Sequence, residues 1–309
     1  MKEYQSKLDL DVVPQGFKAG RLGSKDFAEF FAIYQKAWPG APRLAQHVFA
    51  GASADDSPNF AIWDEENILG ITYNFLKYDK NLQEHYLWVH MIGVDPESQS
   101  KGVGLHLMYS MYQAILNGEL GSTQSIRLTS DPLDSRNVYF YLHKAGMYSN
   151  RYKPDMYSSG DDAPEKDRNI AASRFEYRAR PSLEWVQNGL YPSPETYEIY
   201  KKITPNSIID LNQRGTNIDN RLNSNTIPQI ALVEIPFDFQ QIKSLSFQLA
   251  QQIRQNQDEI FPRLFEAGYT AVDATLIENH DLTKSSYIVC LQGFDEKDPL
   301  CLVNAIQNS

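Results

Sequence analysis

The chain has 309 residues, 42% of them hydrophobic and 22% charged, with a formal net charge of -10. That length holds one large domain or two ordinary ones, each able to bury a core. The acidic balance, with no run of Lys or Arg longer than a pair, excludes a nucleic-acid groove or an anionic membrane as the main partner, though not a local basic spot for a phosphate.

Phe27, Phe30, Phe31, Tyr34 and Trp38 recur at helical spacing and predict a helix over 25–38, with Ser24 as its cap and Pro39-Gly40 as its stop. A shorter helical piece covers 42–50. The apolar runs 60–63 and 68–78 flank a polar tetrapeptide and read as a hairpin, and a third strand over 85–94 ends at Asp95-Pro96. A helix over 101–116 follows, its apolar stripe made of Leu105, Met108, Met111, Tyr112 and Ile115. A strand at 125–129 runs into the turn Ser130-Asp131-Pro132, and a helix over 135–145 closes at Gly146, a natural left-handed cap. Residues 158–166 are polar and turn-rich, a loop or a hinge. A strand at 171–178, helical pieces to about 203 and a long connection over 204–228 come next. The last third restarts with a strand at 230–235. A helix over 239–267 follows, kinked or divided at Pro262, then a hairpin from 270–277 and 287–291. Three parts are expected: 1–157, a connecting region 158–229 and an α/β segment 230–309. The strand–helix–hairpin order of the last part echoes the end of the first, as a half-copy would.

No apolar signal region and no 18-residue apolar run is present, so a cytoplasmic protein without a membrane partner is expected. Cys290 and Cys301 are too few for a disulfide framework, and neither they nor His47, His106, His143 and His280 have metal-ligand spacing; no metal is expected.

The most informative stretch is 90–105, a strand that enters a Gly-containing turn opening directly into an amphipathic helix. Helix N-termini leave N–H groups unpaired and carry partial positive charge, so they bind anions. Gly102 and Gly104 let backbone approach a phosphate, and Lys101 adds charge at the mouth. The glycines also suit a plain strand–turn–helix connection. The segment has neither the Gly-Lys-Ser/Thr of a nucleotide-binding loop nor a three-glycine dinucleotide fingerprint.

Context adds a resemblance. Val94-Asp95-Pro96, then Gln99 with Gly102 and Gly104 at the spacing Gln-x-x-Gly-x-Gly, resembles the acyl-CoA turn of GNAT acyltransferases, and residues 22–157 follow that family's element order. His90-Met91-x-Gly93-Val94 and Asp131-Pro132-Leu133-x-Ser135-Arg136-Asn137 are similar to a two-part GNAT subgroup. So are Val233-Glu234-Ile235-Pro236, Asp238-Phe239-Gln240 and Gly268-Tyr269 in the last third. Leu128-Thr129-Ser130 stands where the subgroup has Trp-Thr-Phe, and Val138 where it has alanine. Leu142 occupies the position, four before Gly146, where many members carry a tyrosine. Its neighbours Tyr139 and Tyr141 point elsewhere on an α-helix.

The resemblance implies an α/β (α+β) fold, in which a mixed, mostly antiparallel sheet flanked by helices is joined to a smaller C-terminal α/β segment. It implies direct transfer of acetyl or another short acyl group from acyl-CoA to a small primary amine or amino acid. Met91, Ile92 and Val94 would meet pantetheine or the acyl chain; Gln99, Ser100, Lys101, Gly102, Val103 and Gly104 would hold the pyrophosphate, and Asn137 the CoA arm. His90, which titrates near neutrality, is the candidate base or else a structural histidine; Asp131 orients it or opens the Pro132 turn; Tyr141 acts as acid or packs in the core. Glu84 and His85 are lesser candidates, expected to be solvated. Two other readings stand beside this one: a degenerate acyl-CoA-binding or sensing module, and a protein acetyltransferase. The last third is expected to cover the acceptor cleft, complete the sheet or make a homodimer.

Overall fold

The structure is a computed structural model describing residues 16–40, 44–53, 57–65, 67–157, 169–183, 186, 208–211, 229–278 and 284–298. The predicted loop 158–166, the helical pieces around 187–203, Cys301 and His280 lie outside them. Contacts group the chain into two units, one within Ser6–Leu128 and Arg178–Asn188, the other within Thr129–Tyr177 and Gly189–Ser309.

The first unit is built on strands β1 (Lys18–Arg21), β2 (Phe60–Trp63), β3 (Ile68–Asp79), β4 (Glu84–Val94) and β5 (Thr123–Ser130), adjacent in that order. The first four pair antiparallel and β4–β5 pair parallel. Strand β1, too short to leave a pattern, is an addition to the expected set. The parallel step is allowed because helix α3 (Val103–Leu116) carries the chain across between β4 and β5.

Helices cover both faces of this sheet, and alternation along β3 shows how. Gly70 and Asn74 face α3: a Cβ on Gly70 would lie 2.7 Å from Val103 Cγ1, and Asn74 Nδ2 donates to Met111 Sδ at 3.6 Å. Ile71 and Tyr73 face the other way, into a core with Phe30, Ile33 and Tyr34 of α1 (Phe27–Ala37) and Phe49 of α2 (Gln46–Ala52). Phe30 and Phe49 are fully buried with ring centroids 4.5 Å apart; each such side chain contributes about 1.5–3 kcal/mol through burial. Ser24 does not cap α1 but opens a 3₁₀ turn, Ser24–Asp26, in which Asp26 Oδ2 accepts from Gly23 N at 2.7 Å.

In the second unit, β6 (Tyr152–Tyr157) and β7 (Ala172–Ala179) pair antiparallel. A second sheet runs β10 (Tyr269–Glu278), β11 (Lys284–Gln292), β9 (Ile230–Ile235), β8 (Ile208–Asp210). Strand β8 falls inside the stretch expected to be a plain connection and pairs parallel with β9. The long predicted helix is divided at Ser246 rather than Pro262. Helix α5 (Phe239–Leu245) ends there, and Ser246 Oγ caps α6 (Phe247–Glu266) by accepting from Leu249 N at 3.3 Å. Pro262 sits inside α6, where burial of Ile260, Phe261 and Leu264 offsets the cost of about 3 kcal/mol that an interior proline carries. The fold is thus mixed α/β: a GNAT-like mixed sheet flanked by helices, with an additional sheet. No helix among the described residues is long and apolar enough to cross a membrane.

Candidate active site

Strand β4 has two different edges. Along one it pairs with β3 from Glu84 to Val94. Along the other its parallel pairing with β5 covers only His85 to Trp88, and no pair follows Trp88↔Arg127. Beyond Trp88, Met91, Ile92 and Val94 therefore lie on a strand whose second edge leaves the ladder, and backbone polar groups there need another partner. All three are half-buried.

The β3–β4 register shifts between Tyr73↔Met91 and Asn74↔Val89, so His90 is the extra residue of a β-bulge. A bulge re-aims side chains. The His90 ring stands 6.0 Å from Tyr73 and 5.7 Å from Phe75, centroid to centroid, and one side of it is open to solvent. Partial enclosure by these rings, and next the charge of Lys77, hold its pKa below the usual 6.5, so the neutral imidazole is the form favoured here.

After β4, Asp95 starts the turn. Its N–H donates to Leu69 O at 2.8 Å, its Oδ1 accepts from Glu97 N at 3.0 Å, and its Oδ2 pairs with Lys36 Nζ at 2.7 Å. That ammonium keeps the carboxyl below its ordinary range. Gln99, Ser100, Lys101 and Gly102 are exposed, and both Ser100 (φ 65°) and Gly102 (φ 85°) are left-handed. Gly102 is the N-cap of α3, so the helix begins at Val103 rather than Lys101. The Val103 side chain is buried against Gly70, which fixes the helix start on the sheet; what it and Gly104 offer a ligand is backbone N–H. His106 Nδ1 lies 2.8 Å from Gly102 O, steadying the cap from the first turn.

Glu84 is not solvated. It is 2% exposed and bonded by Ser125 Oγ (3.0 Å), Arg127 (2.5 Å), Arg178 (2.9 Å) and Arg180 (2.5 Å). Asp79 shares Arg127 at 2.7 Å, which with the Leu82 N–H lowers its pKa to about 2. This cluster ties β4, β5 and the segment starting at Arg178 together; its residues are structural. His85, exposed, meets Ser122 Oγ at 2.8 Å.

In the second unit, both oxygens of Asp131 accept from Arg254 of α6, at 2.9 and 2.5 Å, and Oδ1 also accepts from Leu133 N at 2.9 Å. Burial pushes this carboxyl up, but Arg254 more than offsets it, leaving the pKa low. Asp131 thus opens the Pro132 turn and anchors α6. Asn137 Nδ2 donates to Asp134 Oδ2 at 2.9 Å, so Asp134 both caps α4 (Ser135–Val138) and holds Asn137 in place.

The helix expected over 135–145 changes type midway. After α4 the chain makes a π turn, Tyr139–Lys144, with Ala145 N donating to Phe140 O and Met147 N to Tyr141 O. A π turn holds one residue more than an α turn. The α-helical spacing on which the count from Gly146 to Leu142 rests therefore does not hold through this turn. Tyr141 is buried at 6% exposure beside Tyr177, and desolvation, then Asp134, raises its pKa, keeping the hydroxyl protonated. The buried thiol of Cys290 is likewise pushed up by burial and is inert. Among the described residues no group of three or more His, Cys, Asp or Glu could hold a metal.

No curated relative matches the chain. Solved structures to which the chain is similar include the ribosomal-protein-S18-alanine N-acetyltransferase from Escherichia coli, 15% identical over 54% of this chain and 95% of that one (TM-score 0.42). An N-acetyltransferase from Staphylococcus aureus Mu50 is 12% identical over 54% and 99% (TM-score 0.43). An aminoglycoside acetyltransferase from an uncultured soil metagenomic sample is 14% identical over 42% and 88% (TM-score 0.37). Residues 26–147, which contain the bulged strand, the turn and the π-turned helix, match the model of the acetyltransferase (GNAT) family.

Proposed function

We propose that this chain is a CoA-dependent N-acyltransferase that moves acetyl or another short acyl group onto a primary amine by direct transfer. The observation that carries the reading is the end of β4–β5 pairing at Trp88↔Arg127, on the strand whose following turn leads to a left-handed Gly102 cap and the amino end of α3. An unpaired strand edge accepts an amide-containing chain such as pantetheine through main-chain bonds, and a helix N-terminus takes the pyrophosphate at its end. Met91, Ile92 and Val94 supply the first set of contacts; Gln99 to Gly104 supply the second through backbone N–H and the Lys101 charge. Asn137 is assigned to the CoA arm.

The chemistry needs two protons removed from the nitrogen and one given to the sulfur. His90, held neutral, takes the first proton from the ammonium and passes it to solvent; the amine nitrogen bonds to the thioester carbonyl carbon, the carbon–sulfur bond breaks, and the sulfur leaves as the thiol. Tyr141, whose hydroxyl is kept protonated, is the group assigned to protonate the sulfur, and the second proton of the adduct nitrogen restores it. Positioning both substrates provides much of the rate. Calorimetric titration of the full chain with acetyl-CoA and succinyl-CoA tests the donor site, beside a Gly102→Glu/Gly104→Glu variant. Binding by the wild type and its loss in the variant is the expected result, and the preferred thioester names the donor. A folded wild type that binds neither thioester sinks the proposal; binding without turnover on any amine leaves an acyl-CoA sensor as the better account.

A further inference from the structure

The face of the sheet that carries α1 holds an aromatic series reaching His90. Phe27, Phe31, Tyr34 and Trp38 form one stripe on α1, with successive ring centroids 5.6, 5.7 and 5.5 Å apart. The stripe ends over β4: a Cβ on Gly93 would lie 2.7 Å from Trp38, so only glycine lets the indole rest on the strand there. On the strands, Tyr73, Phe75 and His90 make a second group with centroids 5.0 to 6.0 Å apart. Tyr34 and Tyr73 belong to one core cluster, against which Phe27, Phe31, Trp38, Phe75 and Met91 are only partly buried, and His90, outside the cluster, is exposed. Along β4, from Phe75 past His90 and Met91 to Trp38, the side chains of this face are therefore only partly covered.

The charges there have a sign. The charge acting on the His90 ring is that of Lys77, a cation whose ammonium sits 4.7 Å above the Trp88 ring. Lys36, on α1, is already paired with Asp95. A polyamine or an aminoglycoside would bring several cations to a place whose acting charge is positive. A single ammonium on an aromatic body would instead stack the body on rings and meet their negative faces.

Resting on the acyltransfer reading, we infer that the acceptor is a primary amine carrying an aromatic group, its ring packed on the partly exposed Trp38, Phe75 and Met91 and its nitrogen directed to His90. Trp38 and Phe75 are then specificity-determining residues.

The test uses the full chain and the thioester it prefers, following thiol release with phenethylamine, phenylalanine, ethylamine and spermidine. The expected kcat/KM for phenethylamine or phenylalanine is at least about tenfold above ethylamine and spermidine; the ratio between the two aromatic amines says whether a carboxylate is also read. Trp38→Leu and Phe75→Leu, each checked for a wild-type donor affinity, are expected to lower the ratio of kcat/KM for the aromatic amine to that for ethylamine by about tenfold. Spermidine or ethylamine preferred over phenethylamine overturns the inference, as do variants that leave the aromatic preference intact. Saturable binding of phenethylamine without thiol release keeps the aromatic site and sinks the acyltransfer reading instead. The absence of both binding and transfer for every aromatic amine sinks the inference by itself, while transfer to another amine preserves the broader function.

Discussion

Replacing Glu84 by Gln tests the electrostatics that hold the candidate site together. The carboxylate is 2% exposed and bonded by Ser125 and three arginines, while Asp79 is the second acid of the cluster. With Glu84 ionised, three guanidinium groups face two carboxylates; in Glu84→Gln the same three face one. Removing one partner of a buried ion pair costs about 3–5 kcal/mol, and the amide, which keeps an acceptor oxygen, belongs at the lower end. A loss of about 3 kcal/mol corresponds to a melting shift of roughly 6–12 °C in a folded unit of this size. Urea denaturation of both proteins at pH 7 measures the difference. The pH dependence gives a second check. Burial raises the Glu84 pKa but Arg127, Arg178 and Arg180 bring it below 4.5, so its stabilisation is present above that value and is lost as pH falls through the lower folded-state pKa. The gap between wild type and variant should therefore close in acid. A variant within about 1 kcal/mol of wild type at pH 7, or a gap that does not change with pH, refutes the account.

Two further outcomes are expected. If neutral His90 is the base, kcat/KM falls as pH drops through a value below 6.5, and His90→Gln loses about 10²–10⁴-fold while erasing that limb of the profile; a variant that keeps the limb assigns it to another group. Gly93→Ala should cost about 1–3 kcal/mol by overpacking Trp38, and most of that cost should disappear in a Trp38→Leu background, as a thermal double-mutant cycle would show.

Much of the first unit was legible because each signal was local. The stripe on α1, the hairpin from 60 to 79, and the strand–turn–helix from 84 to 116 each follow from apolar period and punctuation. What escaped depended on register or on partners far along the chain. Nothing near His90 announces a bulge, since the extra residue is visible only against β3. The π turn is equally silent, and an α-helical count back from Gly146 assumes a spacing that the chain does not keep. Glu84 reads as a surface acid because its three arginines lie 43, 94 and 96 residues away. Asp131 finds Arg254 across 123 residues. Trp38 was legible as core, but its seat on Gly93 required the strand and helix to be brought together.

The bulge also divides β4 into two halves of opposite phase. Before it, Trp88 opposes Phe75 and shares its face; after it, Met91 opposes Tyr73, again on that face. The even-numbered positions point towards α1 in the first half and the odd-numbered positions in the second. His90 is the one residue that neither half needs for its alternation. The strand could be shortened by that residue with every other side chain keeping its side of the sheet, so the group assigned to proton transfer is held by the fold without being a part of its hydrophobic pattern.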